Sequence, residues 1–388
     1  MVNLRHVLVL GGGIGGLSAA IALRKVGFDA HVYEQSPGLR EAGAGVGLWS
    51  NAMESLDQLG AADEVRRHSR PMRMVGGAND RGEDLSLVDL DTLGDEFASA
   101  ACFVIARPVL LAALAACLPA AVIHTDWRGE SLDLLADGVR VHFAGGRTRE
   151  ADLVVGADGL HSVVRPRVVG AGPIRYSGQT CFRGISRLRA RDAHVLREVH
   201  GRGQRAAVCP LEGETAYWWT AYNAPRGVVL PVSARKAHLL ERYRGWPFGL
   251  EEHIAATEDD AILQNDLVDR APASPYARGR LVLLGDAAHP TTPNLGQGAN
   301  MAIDDAIALA RALKAEATVS AALRRYEAER LLRTHTIVRR SWAFGRMCLW
   351  ESSVAIWLRE KLVRSTPKAV LRDALRSQVL ESVGLLSG

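Results

Sequence analysis

The chain has 388 residues, enough to bury a sizeable core as one large domain or two closely joined ones. It is 48% hydrophobic and 23% charged with a formal net charge of +4, which excludes a disordered or collagen-like chain. Its five cysteines (Cys102, Cys117, Cys181, Cys209, Cys348) are scattered and form no CxxC, which argues against a disulfide framework or a metal site and for a reducing cytoplasm. Neither a signal peptide nor an integral membrane segment is expected, because apolar runs stay short of ~18 residues. Basic residues concentrate between Arg324 and Arg376 without any helix-turn-helix, RRM or zinc signature. That stretch reads as a solvated helix face and not as a nucleic-acid surface.

In chain order, residues 4–10 read as a buried strand, followed by a glycine-rich turn, a helix over Leu17–Val26 ending at Gly27, and a second strand over Phe28–Glu34. This is the βαβ unit that opens a doubly wound sheet. A turn from Gly43 leads into a helix stopped by Gly60. Arg107–Leu118 is an amphipathic helix with Pro108 at its first turn. Residues 120–157 read as short strands joined at Asp137-Gly138 and Gly145-Gly146, two hairpin signals, with a buried strand over 152–156. Residues 176–270 alternate in the manner of an antiparallel sheet. Leu281–Leu284 is a further buried strand, a long helix spans about Gly298–Leu313, and the tail from Ala321 is helical in pattern.

Three glycine-rich stretches carry the chemistry. Gly11, Gly13 and Gly16 form a GxGxxG between strand and helix, with Ile14 and Gly15 inside it. The first glycine permits the tight turn, the second a close approach of pyrophosphate, and the third close helix–strand packing. The anion then meets the helix N-terminus, where unbonded N–H groups and the helix dipole favour negative charge. Glu34 ends the second strand, where a carboxylate can accept from ribose hydroxyls. The other stretches, Asp152–Gly159 with Asp158 and Gly159, and Gly285-Asp286 continuing to Asn300, each set an aspartate directly after an apolar strand. Such a carboxylate is costly to bury unless it meets hydroxyl or N–H donors.

Together these three stretches resemble the fingerprints of the flavoprotein aromatic hydroxylases, in matching order across nearly the whole chain. Arg107-x-x-Leu110 and Leu323–Arg330 resemble two lesser family features, and the chain is most similar to the urate, salicylate and hydroxybenzoate hydroxylase and zeaxanthin epoxidase subgroup. The resemblance implies an α/β fold: a Rossmann-like FAD-binding domain (1–70, 100–175 and 276–330), an inserted antiparallel β-sheet substrate domain (71–99 and 176–275), and a C-terminal helical region (331–388). It implies FAD held by Gly11, Gly13, Ile14, Gly15, Gly16, Glu34, Gln35, Gly47, Arg107, Gly129, Asp158, Gly159, Asp286, Pro293, Gly296, Gln297, Gly298, Ala299 and Asn300. It further implies NADPH or NADH as co-substrate, and O2 used through a flavin C4a-hydroperoxide to hydroxylate or epoxidise a small aromatic or otherwise electron-rich substrate. A monomer or homodimer without metal is expected.

Substrate contacts are assigned to Arg183, Arg205, Tyr217, Trp219 and Pro293, with Arg205 and Tyr217 positioning the substrate. Arg205 resembles the substrate arginine of urate hydroxylase and would give an oxygen a charge-assisted bond. Core packing is an equal reading of Tyr217 and Trp219. His289 reads as a structural residue near the flavin. The alternatives are a flavin-dependent reductase of the same fold, or a non-catalytic flavin-binding partner.

Overall fold

The chain folds around two sheets that face each other across a cavity. The computed structural model describes residues 2, 4–39, 44–91 and 101–379. The first sheet has six strands in the order Ala277–Arg278, Leu281–Leu283, Leu153–Gly156, His6–Leu10, Asp29–Tyr33, Ile123–His124. Its four central strands pair in parallel, Val7–Leu10 lying in register with both Leu153–Gly156 and Ala30–Tyr33. The apolar runs Val7–Leu10, Leu153–Val155 and Leu281–Leu283 follow from this placement, because helices cover a parallel sheet and bury its strands on both sides, while Asp29 and His31 interrupt the fourth strand. Helices Ile14–Lys25 and Gly298–Ala315 pack together in this core, the first burying Leu17, Ala20, Ile21 and Leu23.

The strands expected over 120–157 form as a three-stranded antiparallel sheet, Gly129–Leu134, Val139–Phe143 and Arg147–Ala151. Gly145 and Gly146 both take positive φ, 76° and 73°, at the second of its turns. Gly43 lies outside the described residues. Gly45–Trp49 is a strand, paired antiparallel with Cys102–Ala106, and runs straight into helix Ser50–Leu59.

The second sheet has seven strands in the order Leu263–Asp269, Arg175–Ser186, Ala216–Asn223, Gln204–Pro210, Val195–His200, Met74–Asn79, Asp84–Asp89. It is not wholly antiparallel as expected, since Val195–His200 pairs in parallel with Met74–Asn79. Those two strands come from segments far apart in sequence, so no tight turn dictates their relative direction. Alternation divides the sheet cleanly. Phe182, Ala206 and Trp218 point to one face, covered by helices Val232–Arg242 and Leu250–Ala255 through Leu239, Tyr243, Leu250 and Ile254. Cys181, Arg183, Arg205, Ala207, Tyr217 and Trp219 point to the other face and line the cavity.

Helix Val319–Cys348 continues unbroken through residue 330, so the boundary expected at 330/331 falls inside one element. Helices Ser353–Ser365 and Lys368–Val379 follow. Leu375 and Val379 pack beside Trp49, Met72, Cys102 and Cys209, which brings the end of the described chain over one side of the cavity.

Candidate active site

A cavity of about 800 Å³ lies between the two sheets. At one end stands the glycine turn. Gly11 has φ +104°, and a Cβ there would come within 2.3 Å of the Ala157 carbonyl oxygen. A Cβ on Gly16 would strike the Gly11 carbonyl at 1.9 Å. Gly13 differs, since a Cβ there would meet nothing within 4 Å. Two glycines thus let the backbone close on itself, and the third opens it to a guest, the division of labour expected of a pyrophosphate-binding turn. Glu34 accepts from the Gly12 N–H at 2.6 Å and the Ser36 N–H at 2.8 Å, which fixes its carboxylate at the cavity wall.

The two aspartates occupy unlike settings. Asp158 accepts from the Val163 N–H at 2.8 Å through Oδ2, while Oδ1 is buried without a partner. Burial is the largest influence on this carboxyl and pushes its pKa up in spite of the Ser162 and Val163 donors. Asp286 is exposed, but what it faces is the cavity. Desolvation by the surrounding protein raises its pKa, against the opposing charges of His289 and Arg107. Arg165, the basic residue following the DG stretch, donates to the Ala287 and Ala288 carbonyls at 2.8 and 2.7 Å and ties the second glycine stretch to the third. Behind them Asp305 accepts from His289 Nε2 at 2.6 Å, the Gly285 N–H at 3.0 Å and Arg330 Nε at 2.7 Å. Burial alone would raise the Asp305 carboxyl, but the His289 and Arg330 charges outweigh it and hold it well below the usual range. His289 is therefore a structural residue beside the site.

The helix Gly298–Ala315 begins at the cavity without a side-chain cap, and Gly298 and Ala299 belong to the lining. Its first N–H groups have no acceptor within the helix and, with the helix dipole, favour negative charge there. Ile14, Gly15, Gln35, Gly47, Arg107, Gly129, Gly159, Pro293 and Gly296 also line the cavity. Gly16, Gln297 and Asn300 do not. Gly16 is a packing position, as its blocked Cβ direction indicates. Asn300 is spent on structure: Oδ1 accepts from the Trp49 N–H at 2.8 Å, and Nδ2 donates to the Gly47 and Gly296 carbonyls at 3.0 and 2.8 Å. The Gln297 amide is buried with neither end hydrogen-bonded.

Arg183, Arg205, Tyr217, Trp219 and Pro293, the residues expected to touch substrate, all line this same cavity. Arg205 is 2% exposed and reaches the cavity from strand Gln204–Pro210. It pairs with Glu198 Oε1 at 3.0 Å, donates to Asn294 Oδ1, and lies 5.3 Å from the centre of the Trp219 ring. Tyr217 packs on Gly45, where any Cβ would fall 2.5 Å from its ring. Arg183 donates to Asn265 Oδ1 at 3.0 Å. Sequence reasoning missed Glu198, Asn294 and Leu375. The signal for Glu198 lay in alternation: Leu196, Glu198 and His200 share one face of a strand, and His200 stands opposite Arg205 in the ladder. Glu198, His200 and Cys348 also bring ligand atoms within 4.8 Å of one another. The fixed Arg205 cation beside Glu198 opposes a second cation there.

A glycine turn open at Gly13, a glutamate fixed at the cavity wall, two aspartates with free acceptor capacity and a helix N-terminus along one cavity are arranged as a flavin dinucleotide requires. A family model described as "FAD binding domain" matches residues 5–341, and the chain belongs to that family. The aurachin C monooxygenase/isomerase of Stigmatella aurantiaca is 39% identical over 364 residues, covering 92% of this chain and 93% of that one. The 2-heptyl-3-hydroxy-4(1H)-quinolone synthase of Pseudomonas aeruginosa strain UCBPP-PA14 is 34% identical over 390 residues, covering 97% and 98%. The crystal structure of Klebsiella pneumoniae HpxO complexed with FAD and uric acid superposes with a TM-score of 0.91 at 27% identity, covering 97% of both chains. The chain is thus an FAD-dependent monooxygenase that uses NAD(P)H.

Proposed function

We propose that the substrate is a neutral, flat aromatic bearing a carbonyl group and an apolar tail, of the alkyl- or prenylquinolone kind, and that the enzyme hydroxylates its ring. The observation that carries this reading is the Arg205–Glu198 pair set into a wall of Leu196, Ala207, Cys209, Tyr217, Trp219 and Leu267. The Arg205 charge is already balanced. An anionic substrate would compete with half-buried Glu198 for Arg205 and leave that carboxylate only His200 at 3.5 Å, a net cost. A carbonyl oxygen needs only one more N–H, and the Arg205 Nε–H is buried without an acceptor. Two relatives whose names carry aurachin and quinolone chemistry support the same class.

FAD bound here and reduced by NAD(P)H would activate O2, one of whose atoms goes to the substrate while the other leaves as water. The protein's part is placement. The Gly11–Gly16 turn and the N-terminus of helix Ile14–Lys25 hold pyrophosphate, Glu34 a ribose, and Asp158 and Asp286 accept from hydroxyl or N–H donors. The start of helix Gly298–Ala315 favours the negative charge that reduction creates. Tyr217 and Trp219 hold the aromatic ring, Arg205 or Arg183 fixes its oxygen, and the apolar wall keeps water out. We place this chemistry in the cytoplasm, on the strength of five unpaired cysteines, in a monomer or homodimer. The test is the rate at which NADPH bleaches the flavin under anaerobic conditions with added ring compounds. Acceleration by 2-heptyl-4(1H)-quinolone beyond that by urate or salicylate is expected. Equal or stronger acceleration by either anionic compound would remove the proposal.

A further inference from the structure

We propose that the two C-terminal helices dock the enzyme peripherally on an anionic lipid surface. Helix Ser353–Ser365 is amphipathic in the reverse sense to a core helix. Val354, Trp357, Leu358 and Leu362 are 73%, 59%, 55% and 62% exposed, and their spacing puts them on one stripe. The inward side is polar at its centre, where Arg359 is buried and donates to the Gly201 carbonyl at 3.4 Å. Lys361 lies within the stripe, its Nζ 5.7 Å from the Trp357 ring centre. Helix Lys368–Val379 adds exposed Val370 and the exposed basic residues Lys368, Arg372 and Arg376.

Charge selects the occupant. Around the stripe, Lys361, Arg364, Lys368, Arg372 and Arg376 outnumber Glu360 and Asp373, although Arg364 is engaged with Glu83 at 2.6 Å. A second copy related by a two-fold axis would set this basic fringe against itself. Anionic headgroups complement it, while Trp357 and the aliphatic side chains enter the boundary between headgroups and acyl chains. The lysine and arginine stems can lie along apolar surface with their charges in the headgroup layer. The surface is continuous with the site, because Leu375 on the second helix lines the cavity. Docking would bring that side of the cavity to the lipid, a route for an apolar substrate, though the docking argument stands without the substrate assignment.

Flotation of the FAD-loaded protein with phosphatidylcholine vesicles, with and without phosphatidylglycerol, tests this, together with light scattering of the free protein. The wild type should float with the anionic vesicles, less at raised salt, and remain unbound with phosphatidylcholine alone. The double variant Trp357→Glu/Leu358→Glu should lose binding by about tenfold or more, with flavin content and substrate-free NADPH oxidation unchanged. Three results would overturn the proposal: wild-type protein that ignores anionic vesicles, a double variant that floats like the wild type, or a wild-type dimer that the double variant splits into monomers.

Discussion

Asp158 and Asp286 have their carboxyls pushed up by desolvation at the same cavity where Glu34 is satisfied by two backbone N–H groups. Donors from a bound flavin nucleotide favour the ionised form, so binding should release protons. A raised carboxyl is partly protonated above the ordinary range near pH ~4. FAD affinity should therefore rise with pH across the interval above that range and level off once both carboxyls ionise without ligand. Titrating FAD into flavin-free protein at several pH values checks this, and affinity that falls with pH would contradict it. Asp286→Ala should weaken FAD by roughly 10- to 100-fold, the loss of one charge-assisted bond of about 1.5–3 kcal/mol, with little change in the stability of the flavin-free protein. Asp305→Ala should do the opposite, lowering stability by about 3–5 kcal/mol in urea because it removes the acceptor shared by Arg330 and His289 and leaves Arg330 the more distant Asp304 at 3.9 Å. The Asp305 carboxyl is depressed in the folded state, so its contribution is complete above the usual carboxylate range. It is lost only as pH falls through the lower, folded-state value.

Single elements follow the same separation between folding and binding. Gly11→Ala forces a side chain into a left-handed position and against the Ala157 carbonyl, so it should destabilise the flavin-free protein by about 1–3 kcal/mol. Gly13→Ala points its methyl into open cavity, so melting of the flavin-free protein should hold while FAD affinity drops. Equal melting losses in both variants would refute this division. The glycine turn, its helix and the Gly145-Gly146 hairpin were legible in the sequence because their determinants are local: a φ requirement, a cap, a period. The parallel pairing of Met74–Asn79 with Val195–His200 was not legible, since no local signal spans that separation. Nor was the outward direction of the Ser353–Ser365 stripe, for periodicity identifies a face without saying what covers it.

At the scale of the molecule, Arg205 joins the seven-stranded sheet to the loop that precedes helix Gly298–Ala315, through Glu198 on one side and Asn294 on the other. The sequence pointed to Arg205 and to the Tyr217/Trp219 face by alternation and family likeness. Alternation put Glu198 on a face with Leu196 and His200, but its pairing with Arg205 depends on how two strands align. Arg205→Ala should keep FAD content, weaken substrate-stimulated flavin reduction by roughly 10- to 100-fold, and divert NADPH electrons to hydrogen peroxide because the substrate is misplaced. Glu198→Gln added to Arg205→Ala should recover stability by removing the stranded carboxylate, without restoring coupling. A single variant with wild-type coupling would take Arg205 out of the site.

The most direct measurement of the central claim is the fate of labelled oxygen. FAD-loaded enzyme is given NADPH, 2-heptyl-4(1H)-quinolone and 18O2, and product mass is followed with NADPH consumed. The account predicts one 18O atom per product molecule, a consumption of NADPH that matches product formed, and no turnover without O2. Product free of 18O, or turnover that proceeds equally without O2 as in a reductase, would contradict it.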